Sequence, residues 1–444
     1  MTMRLLLSLA ASVALSVMIS GAAAGAAVGS LTADEVAAQN FRVEFGLRAD
    51  DAWVRQLSAV VVDPTWGVPL TPSEVADMAQ RVVVARAVGA LDKYAAEPWY
   101  GGVWLEQASG GTVVVNLRGD PIVPLDSITG SLPAGTRFRW VSVSFSLQDL
   151  RALDSALGDS LDSAIWTARG VVSHGVDVVA NRVRVGVVNP TSELVAEVAQ
   201  LGAPGMIDVV KDGVALAAAY CGGDTNCGDP MKGGLKISSN SITTVSCTSG
   251  FMARPTSGTP THSYMITSGH CAYDAQYYGA TAFSHGAVWT GTVTLVVDYD
   301  YAAVDIAILN SVTGSTGTPA NQIFTGSTTS FQAITGRLSD AQQPVGTPMC
   351  KYGFATDKLC GQVRQGPTTQ YVCDPIHCVH IASLQMFSRL SSPGDSGGPL
   401  YQSSMAAGNT VAQTSDGNYT YYSRIEDTIY ATGYRPCYAA TYPC

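Results

Sequence analysis

Three short stretches hold the residue types that acyl transfer requires. Ile266-Thr267-Ser268-Gly269-His270-Cys271 sets an imidazole beside a thiol. Asp305-Ile306-Ala307-Ile308-Leu309 puts a carboxylate at the head of an apolar run, and Gly394-Asp395-Ser396-Gly397-Gly398-Pro399 surrounds a hydroxyl with glycines. A Ser hydroxyl is a poor nucleophile until a neighbouring imidazole can take its proton. A buried carboxylate fixes the tautomer of that imidazole and stabilises the imidazolium that forms. The tetrahedral oxyanion needs two backbone N–H donors aimed at one point, and glycines beside the Ser allow the tight turn that supplies them. The expected proton-transfer line is therefore His270, Asp305 and Ser396, with the amides of Gly394 and Ser396 as oxyanion donors. Asp298 and Asp300 compete for the carboxylate role, but they sit in Tyr-rich polar sequence, whereas Asp305 heads an apolar strand.

Gly394-x-Ser396-x-Gly398 also fits the nucleophile elbow of an α/β-hydrolase. That fold orders its residues Ser, acid, His, and here the last His, His380, precedes Ser396. Chain order excludes it.

The elements that must position these groups fall into two unlike halves. Arg4, an apolar run from Leu5 to Ile19 and a small-residue stretch from Gly21 to Ala27 form a secretory signal peptide over residues 1–26. The run is shorter than the ~20 apolar residues of a membrane span, so the mature protein is expected to be secreted. The length of 444 residues suits two or three domains. All ten Cys lie between Cys221 and Cys444, and export makes disulfides their default state. Charged residues are 14%, the net charge is −10 and no basic block occurs, which argues against partners such as nucleic acid or an anionic membrane.

Apolar spacing is helical from Leu31 to about Pro98, and Thr71-Pro72-Ser73-Glu74 opens one helix with a cap, a first-position Pro and an acid. After Tyr100 the period changes to two. Val103–Glu106 and Thr112–Leu117 form a hairpin, and Trp140–Phe145, Val179–Val188 and Met206–Val210 are further strands. Between them lie helices opened by Ser146-x-x-Asp149 and Thr191. This is a small α/β region. Beyond Cys221 there are ten Lys and Arg against thirteen Asp and Glu, and short strand-like runs alternate with turns. That pattern reads as an all-β barrel or sandwich with one convincing helix, near Arg424–Ala431.

The three motifs, in the order His, Asp, Ser, resemble those of chymotrypsin-like serine peptidases, and the chain is similar to the bacterial streptogrisin and α-lytic type. Cys221–Cys227, Met231–Leu235, Cys247–Phe251, Cys350-Lys-Tyr-Gly and Cys360-Gly-Gln-Val look like mature enzymes of that type, and the stretch from Gly101 to about Val210 resembles their pro-regions. The resemblance implies a serine endopeptidase with a double β-barrel, its site in the cleft between barrels. It also implies an α/β pro-region over 27–215 that serves residues 216–444 as folding chaperone and inhibitor and is removed by self-cleavage. The protein is expected to act as a monomer on protein or peptide substrates, with no cofactor and no metal.

Of the disulfides, Cys247–Cys271 would close a loop that fixes the His270 segment. Cys350–Cys360 follows from the resemblance, and Cys221–Cys227, Cys373–Cys378 and Cys437–Cys444 follow from proximity. The spacing of Cys373, His377, Cys378 and His380 is a poor match for zinc, which favours two to four residues between Cys. His262 and His285 read as surface or loop residues. Asp395 needs a partner, because a carboxylate beside the nucleophile is buried; in the enzymes that the chain resembles an Arg fills this role, which makes Arg337 the expected one.

The sequence departs from the resemblance at the specificity pocket. The floor position six residues before the Ser is Leu390, and Thr414-Ser415-Asp416-Gly417 forms the wall, followed by a short loop. Leu390, Ser415, Asp416 and Gly417 thus shape a substrate pocket without an acid at its floor, which suits an apolar or small residue before the scissile bond. A non-catalytic exported binding protein on a peptidase scaffold is the rival function. An esterase would share the same machinery and be separated by casein hydrolysis.

Overall fold

The computed structural model describes residues 30–58, 62–119, 125–161, 164–213, 215–217, 231–258, 260, 262–286, 289–312, 319–327 and 330–438. The signal segment, Cys221–Cys227 and Cys444 lie outside the described residues. Among the described residues, no helix is long and apolar enough to cross a membrane.

Helices dominate the beginning of the chain and strands the second half. Thr71 caps the Pro72–Val88 helix, its hydroxyl accepting from Glu74 N while the Glu74 side chain accepts from Thr71 N, the reciprocal box that the sequence signals. The Tyr100–Glu106 and Thr112–Arg118 strands form the expected hairpin, and Phe138–Val143 adds to it in parallel. The single strand expected over Val179–Val188 is instead the turn and second arm of a hairpin, Val171–Asp177 with Arg182–Val187. Asn181 has a positive φ of 54°, and its amide side chain bonds both backbone groups of Phe145. Asn tolerates this left-handed turn where Val would not.

Residues 231–438 are all-β apart from short helices, as expected. One sheet carries Lys236–Ser239, Ser246–Thr248, Met252–Pro255, Tyr264–Thr267, Phe283–His285, Trp289–Val297, Ile306–Ser311 and Tyr434–Pro436. The second contains Pro348–Gly353, Asp357–Cys373, Cys378–Phe387, Pro399–Gln402, Met405–Gln413 and Thr420–Arg424. Both are mainly antiparallel, and among the described residues one α-helix beyond the expected one occurs, Gly269–Tyr277, with a short 3-10 turn at Asp340–Gln342. It lacks a periodic apolar stripe; Cys271, Ala272 and Ala275, small enough for close packing, line its buried side.

The second sheet does not stop at the boundary expected at 215/216. Thr368, Thr369 and Gln370 pair with Gly175, His174 and Ser173, so the earlier α/β region adds its Val171–Asp177, Arg182–Val187 and Ile207–Lys211 strands to the same sheet. The helical part joins one apolar cluster with the second sheet, in which Phe41, Phe45, Trp66 and Met78 accompany Tyr352, Ile381, Leu384 and Tyr401. Arg86 Nε donates to the Gln402 side chain at 2.8 Å, and Gln107 Nε2 donates to Gly346 O at 2.7 Å. Burial of large apolar side chains at about 25 cal/mol per Å² makes this a folded unit with the β half, not a tethered tail.

Candidate active site

His270 follows strand Tyr264–Thr267 and opens the Gly269–Tyr277 helix; Asp305 immediately precedes strand Ile306–Ser311. These strands are neighbours, with Thr267 opposite Ala307, so two residues 35 apart in sequence meet across one strand spacing. The Asp305 carboxylate accepts from His270 Nδ1 at 2.6 Å and from the His270 backbone N–H at 2.7 Å. A Cβ on Gly269 would lie 2.7 Å from Asp305 Oδ1 and 2.7 Å from Val297 O; no larger residue allows that approach. Neither Asp298 nor Asp300 bonds to His270: Asp298 contacts His377 at 3.2 Å and Asp300 contacts His380 at 3.0 Å.

Ser396 comes from the second sheet, three residues before strand Pro399–Gln402. Polar bonds hold its loop against the His270 segment. Thr248 N donates to Ser396 O at 2.8 Å, Thr248 Oγ1 to Gly394 O at 2.7 Å and Ser268 Oγ to Thr410 O at 2.7 Å. Cys247–Cys271 is bonded as expected, tying the strand under the Ser loop to the helix that carries His270. Ser396 Oγ makes a long contact, 3.5 Å, to Val411 O, and His270 Nε2 faces Cys271 Sγ at 3.7 Å. Among the described residues no hydrogen bond joins Oγ to Nε2.

The amides of Asp395, Gly397 and Gly398 donate to Ser392 O, Thr410 O and Asp395 O. No hydrogen bond among the described residues engages the Gly394 or Ser396 amide, the two expected oxyanion donors.

Asp395 is fully buried, as expected, but its cation is Lys351. Nζ lies 2.7 Å from Oδ2, and both side chains have no exposure. Thr356 Oγ1 donates at 2.6 Å, and the amides of Ser392, Ala355 and Thr356 donate at 3.1–3.2 Å. Arg337 instead faces Glu426 at 3.2 Å on the surface. The available signal was a charged residue inside the Met349-Cys350-Lys351-Tyr352 strand, whose every residue is buried. Lys351→Met is expected to cost about 3–5 kcal/mol, because it leaves a buried carboxylate without its cation. Arg337→Ala is expected to change stability by less than about 0.5 kcal/mol. Urea denaturation of both variants checks this, and equal losses would refute the Lys351 pairing.

Electrostatics around His270 favour its charged form. Burial alone would lower its pKa, but the charge and hydrogen bond of Asp305, with Asp298 and Asp274 behind it, raise it to about 9. Burial and nearby carboxylates likewise push Asp274 up to about 7, against the lowering charge of His270. A raised imidazole contributes stability in full below 6.5, and that contribution is lost as pH rises through about 9. A base role for His270 would run the other way, because a general base works as neutral imidazole. Any hydrolysis that uses His270 as its base is expected to rise about tenfold per pH unit towards that value; a profile flat between pH 6.5 and 9 would contradict such a role.

The pocket residues are not gathered around an acid. Leu390 is 43% exposed, and Ser415 and Asp416 are exposed. Asp416 turns back on its own loop, accepting from Thr414 Oγ1 at 2.5 Å and Asn418 N at 3.0 Å. The Thr414 bond, first among several, holds its pKa down. Strand Ala215–Ala217 lies alongside this wall, with Ala217 opposite Ala412 and Leu216 opposite Gln413 in antiparallel register. A Cβ on the preceding Gly213 would fall 1.9 Å from Ser415 Oγ, so glycine is required where the chain enters. Cys350–Cys360 and Cys373–Cys378 are bonded as expected. Cys437 is also disulfide-bonded, but its expected partner Cys444 lies outside the described residues. His262 is exposed, while His285 is buried and its Nδ1 lies 2.7 Å from Lys236 O, a core rather than a surface histidine.

No protein-family model and no curated protein match the chain. Solved structures of bacterial serine proteases are similar to it. A Nocardiopsis protease is 24% identical over 47% of this chain and 98% of its own, with a TM-score of 0.37. Thermobifida fusca protease A is 21% identical over 47% and 98%, at 0.37. An α-lytic protease homolog, N4, is 23% identical over 46% and 98%, at 0.36.

Proposed function

We propose that the chain is an exported serine endopeptidase made as a zymogen, with His270 as general base, Asp305 as its orienting carboxylate and Ser396 as nucleophile. The observation that carries this reading is the doubly bonded, buried His270–Asp305 pair on the segment tied to the Ser396 loop, in which the Gly394 and Ser396 amides make no hydrogen bond among the described residues. Oγ would take a proton-transfer position as substrate displaces its contact with Val411; such bonds are often long in the resting state and tighten with substrate. Attack on the scissile carbonyl, with the Ser396 proton passing to His270, would give a tetrahedral oxyanion held by the Gly394 and Ser396 amides. Its collapse breaks the C–N bond, the amine leaves with the proton from His270, and water then hydrolyses the acyl-enzyme.

Residues 27 to about 217 act as the pro-region. Their extension of the second sheet supports a chaperone role, since they supply a paired edge and an apolar face to the strands around Ser396. Strand Ala215–Ala217 supports inhibition: it occupies the wall beside Ser396 in the antiparallel register of a bound peptide. The boundary expected at 215/216 falls inside this strand, and the strand runs towards Val411, so the bond cut in self-processing lies after Ala217 and before Cys221. The well-formed Asp395–Lys351 cluster supports latency by occlusion of the cleft.

The test is expression of the intact chain with a fluorophosphonate probe. The expected result is a labelled fragment of about half the chain, with its N-terminus at 218–221, that hydrolyses casein and cuts a mixed peptide library after apolar or small residues. An uncleaved, unlabelled chain would favour the binding-protein reading. Dominant cleavage after Lys or Arg would overturn the pocket assignment.

A further inference from the structure

A second cluster of titratable groups lies on the flank of the His270 helix. Asp274 is on that helix, one turn beyond His270. Asp374 and His377 sit in the turn between strands Asp357–Cys373 and Cys378–Phe387, which the Cys373–Cys378 disulfide closes at its base. Asp298 follows strand Trp289–Val297. Asp274, Asp374 and His377 each bring a ligand atom within 4.8 Å of one another. His377 Nδ1 is 2.6 Å from Asp374 Oδ2, its Nε2 is 3.2 Å from Asp298 Oδ2, and its ring stacks on Tyr273 at 4.0 Å.

Two features separate this from an ordinary acidic surface. Asp274 is 5% exposed, and its buried Oδ1 has no hydrogen-bond partner. Three carboxylates also gather around one imidazole, and the charges of Asp374 and Asp298 act on Asp274. Among the described residues no Lys or Arg makes an ion pair with Asp274, Asp298 or Asp374. Buried charge without compensation is costly.

We propose that Asp274, Asp374 and His377 bind a divalent transition-metal ion, best matched by Zn²⁺, with Asp298 as an outer carboxylate. A nitrogen donor with carboxylates suits zinc better than calcium, which takes oxygen ligands. Metal–ligand distances of about 2.0–2.2 Å put donors about 3.5 Å apart around a tetrahedron, so a modest side-chain closure completes the site. The stacked ring and the disulfide-closed turn hold His377 ready for it, and Asp298 gives the imidazole the carboxylate partner that metal-bound His commonly has. The ion would place its charge one helical turn from His270.

The proposal does not depend on the peptidase reading, and binding is measured without activity. Zn²⁺ is titrated calorimetrically into the full chain carrying Ser396→Ala, which prevents self-cleavage, with melting followed in parallel. One ion per chain and a zinc-dependent rise in Tm are expected. Asp274→Asn and His377→Gln should each weaken binding by more than the about 10–100-fold typical of losing an outer partner, whereas His262→Ala should leave it unchanged. Having two variants keeps the test valid if one fails to fold. Absence of zinc binding, binding insensitive to both substitutions, or calcium binding with the same dependence would overturn the assignment.

Discussion

An intact chain carrying Ser396→Ala is expected to remain full length and to lose peptide hydrolysis by about 10⁶-fold, the scale seen when the nucleophile of such a unit is removed. Binding and the two amide donors would leave about 10³–10⁴ over water. The fold should not suffer. Ser396 is buried, yet its hydroxyl has one long contact, to Val411 O, so its loss costs no more than about 1 kcal/mol. The loop conformation is held by Asp395 and by the carbonyls of Gly394 and Ser396, none of which changes. Gel electrophoresis over time and the melting temperature check both halves of this statement. A variant that processes itself at the wild-type rate would remove Ser396 from the chemistry.

Asp305→Asn should lower the turnover rate by about 10⁴-fold with little change in structure. Both carboxylate oxygens are committed, one to the His270 backbone N–H and one to Nδ1. An amide can satisfy the backbone donor with its oxygen, and its NH₂ then faces Nδ1. That contact makes Nδ1 an acceptor and puts the imidazole proton on Nε2, where it cannot receive the Ser396 proton. The same change removes the largest upward push on the His270 pKa, so the residual activity should titrate well below the wild type's value near 9. Asp298→Asn is the comparison: Asp298 acts on His270 by charge alone and ranks behind Asp305. It should shift the pH profile slightly and leave the maximal rate within about tenfold. Equal rate losses at the two positions would reject Asp305 as the orienting residue.

Much of this was legible in the chain because it is encoded locally. The Thr71 capping box, the hairpin around Gly110 and the cap of the Leu147–Leu161 helix each depend on residues a few positions apart, and each formed as read. The His–Asp–Ser motifs were legible for another reason: their glycines, small residues and strand-heading Asp are needed locally for a tight turn or a close approach.

Other features were not legible because they depend on what folding brings near. Lys351 and Arg337 are both plausible cations for Asp395 in sequence. The Pro348–Gly353 strand runs beneath the Ser396 loop, and that alone selects Lys351. The turn at Val178–Asn181 was hidden in an apolar run, because the hydrogen bonds that stabilise it come from Phe145, 36 residues away. The helix that carries His270 has no stripe of its own and exists because the disulfide and the first sheet pack its small residues.

Legible along the chain alone is the chemistry on offer: an imidazole, a carboxylate and a hydroxyl in a β half that holds all ten cysteines, preceded by a cysteine-free α/β half. Distances through space decided which carboxylate serves which imidazole, that Lys351 and not Arg337 neutralises Asp395, and that the α/β half continues the second sheet and pairs Ala217 and Leu216 with Ala412 and Gln413. The physical reason is range. Caps, turns and strand periodicity are settled by neighbours within a few residues, whereas burial, charge compensation and sheet pairing depend on distances through space that chain order does not report.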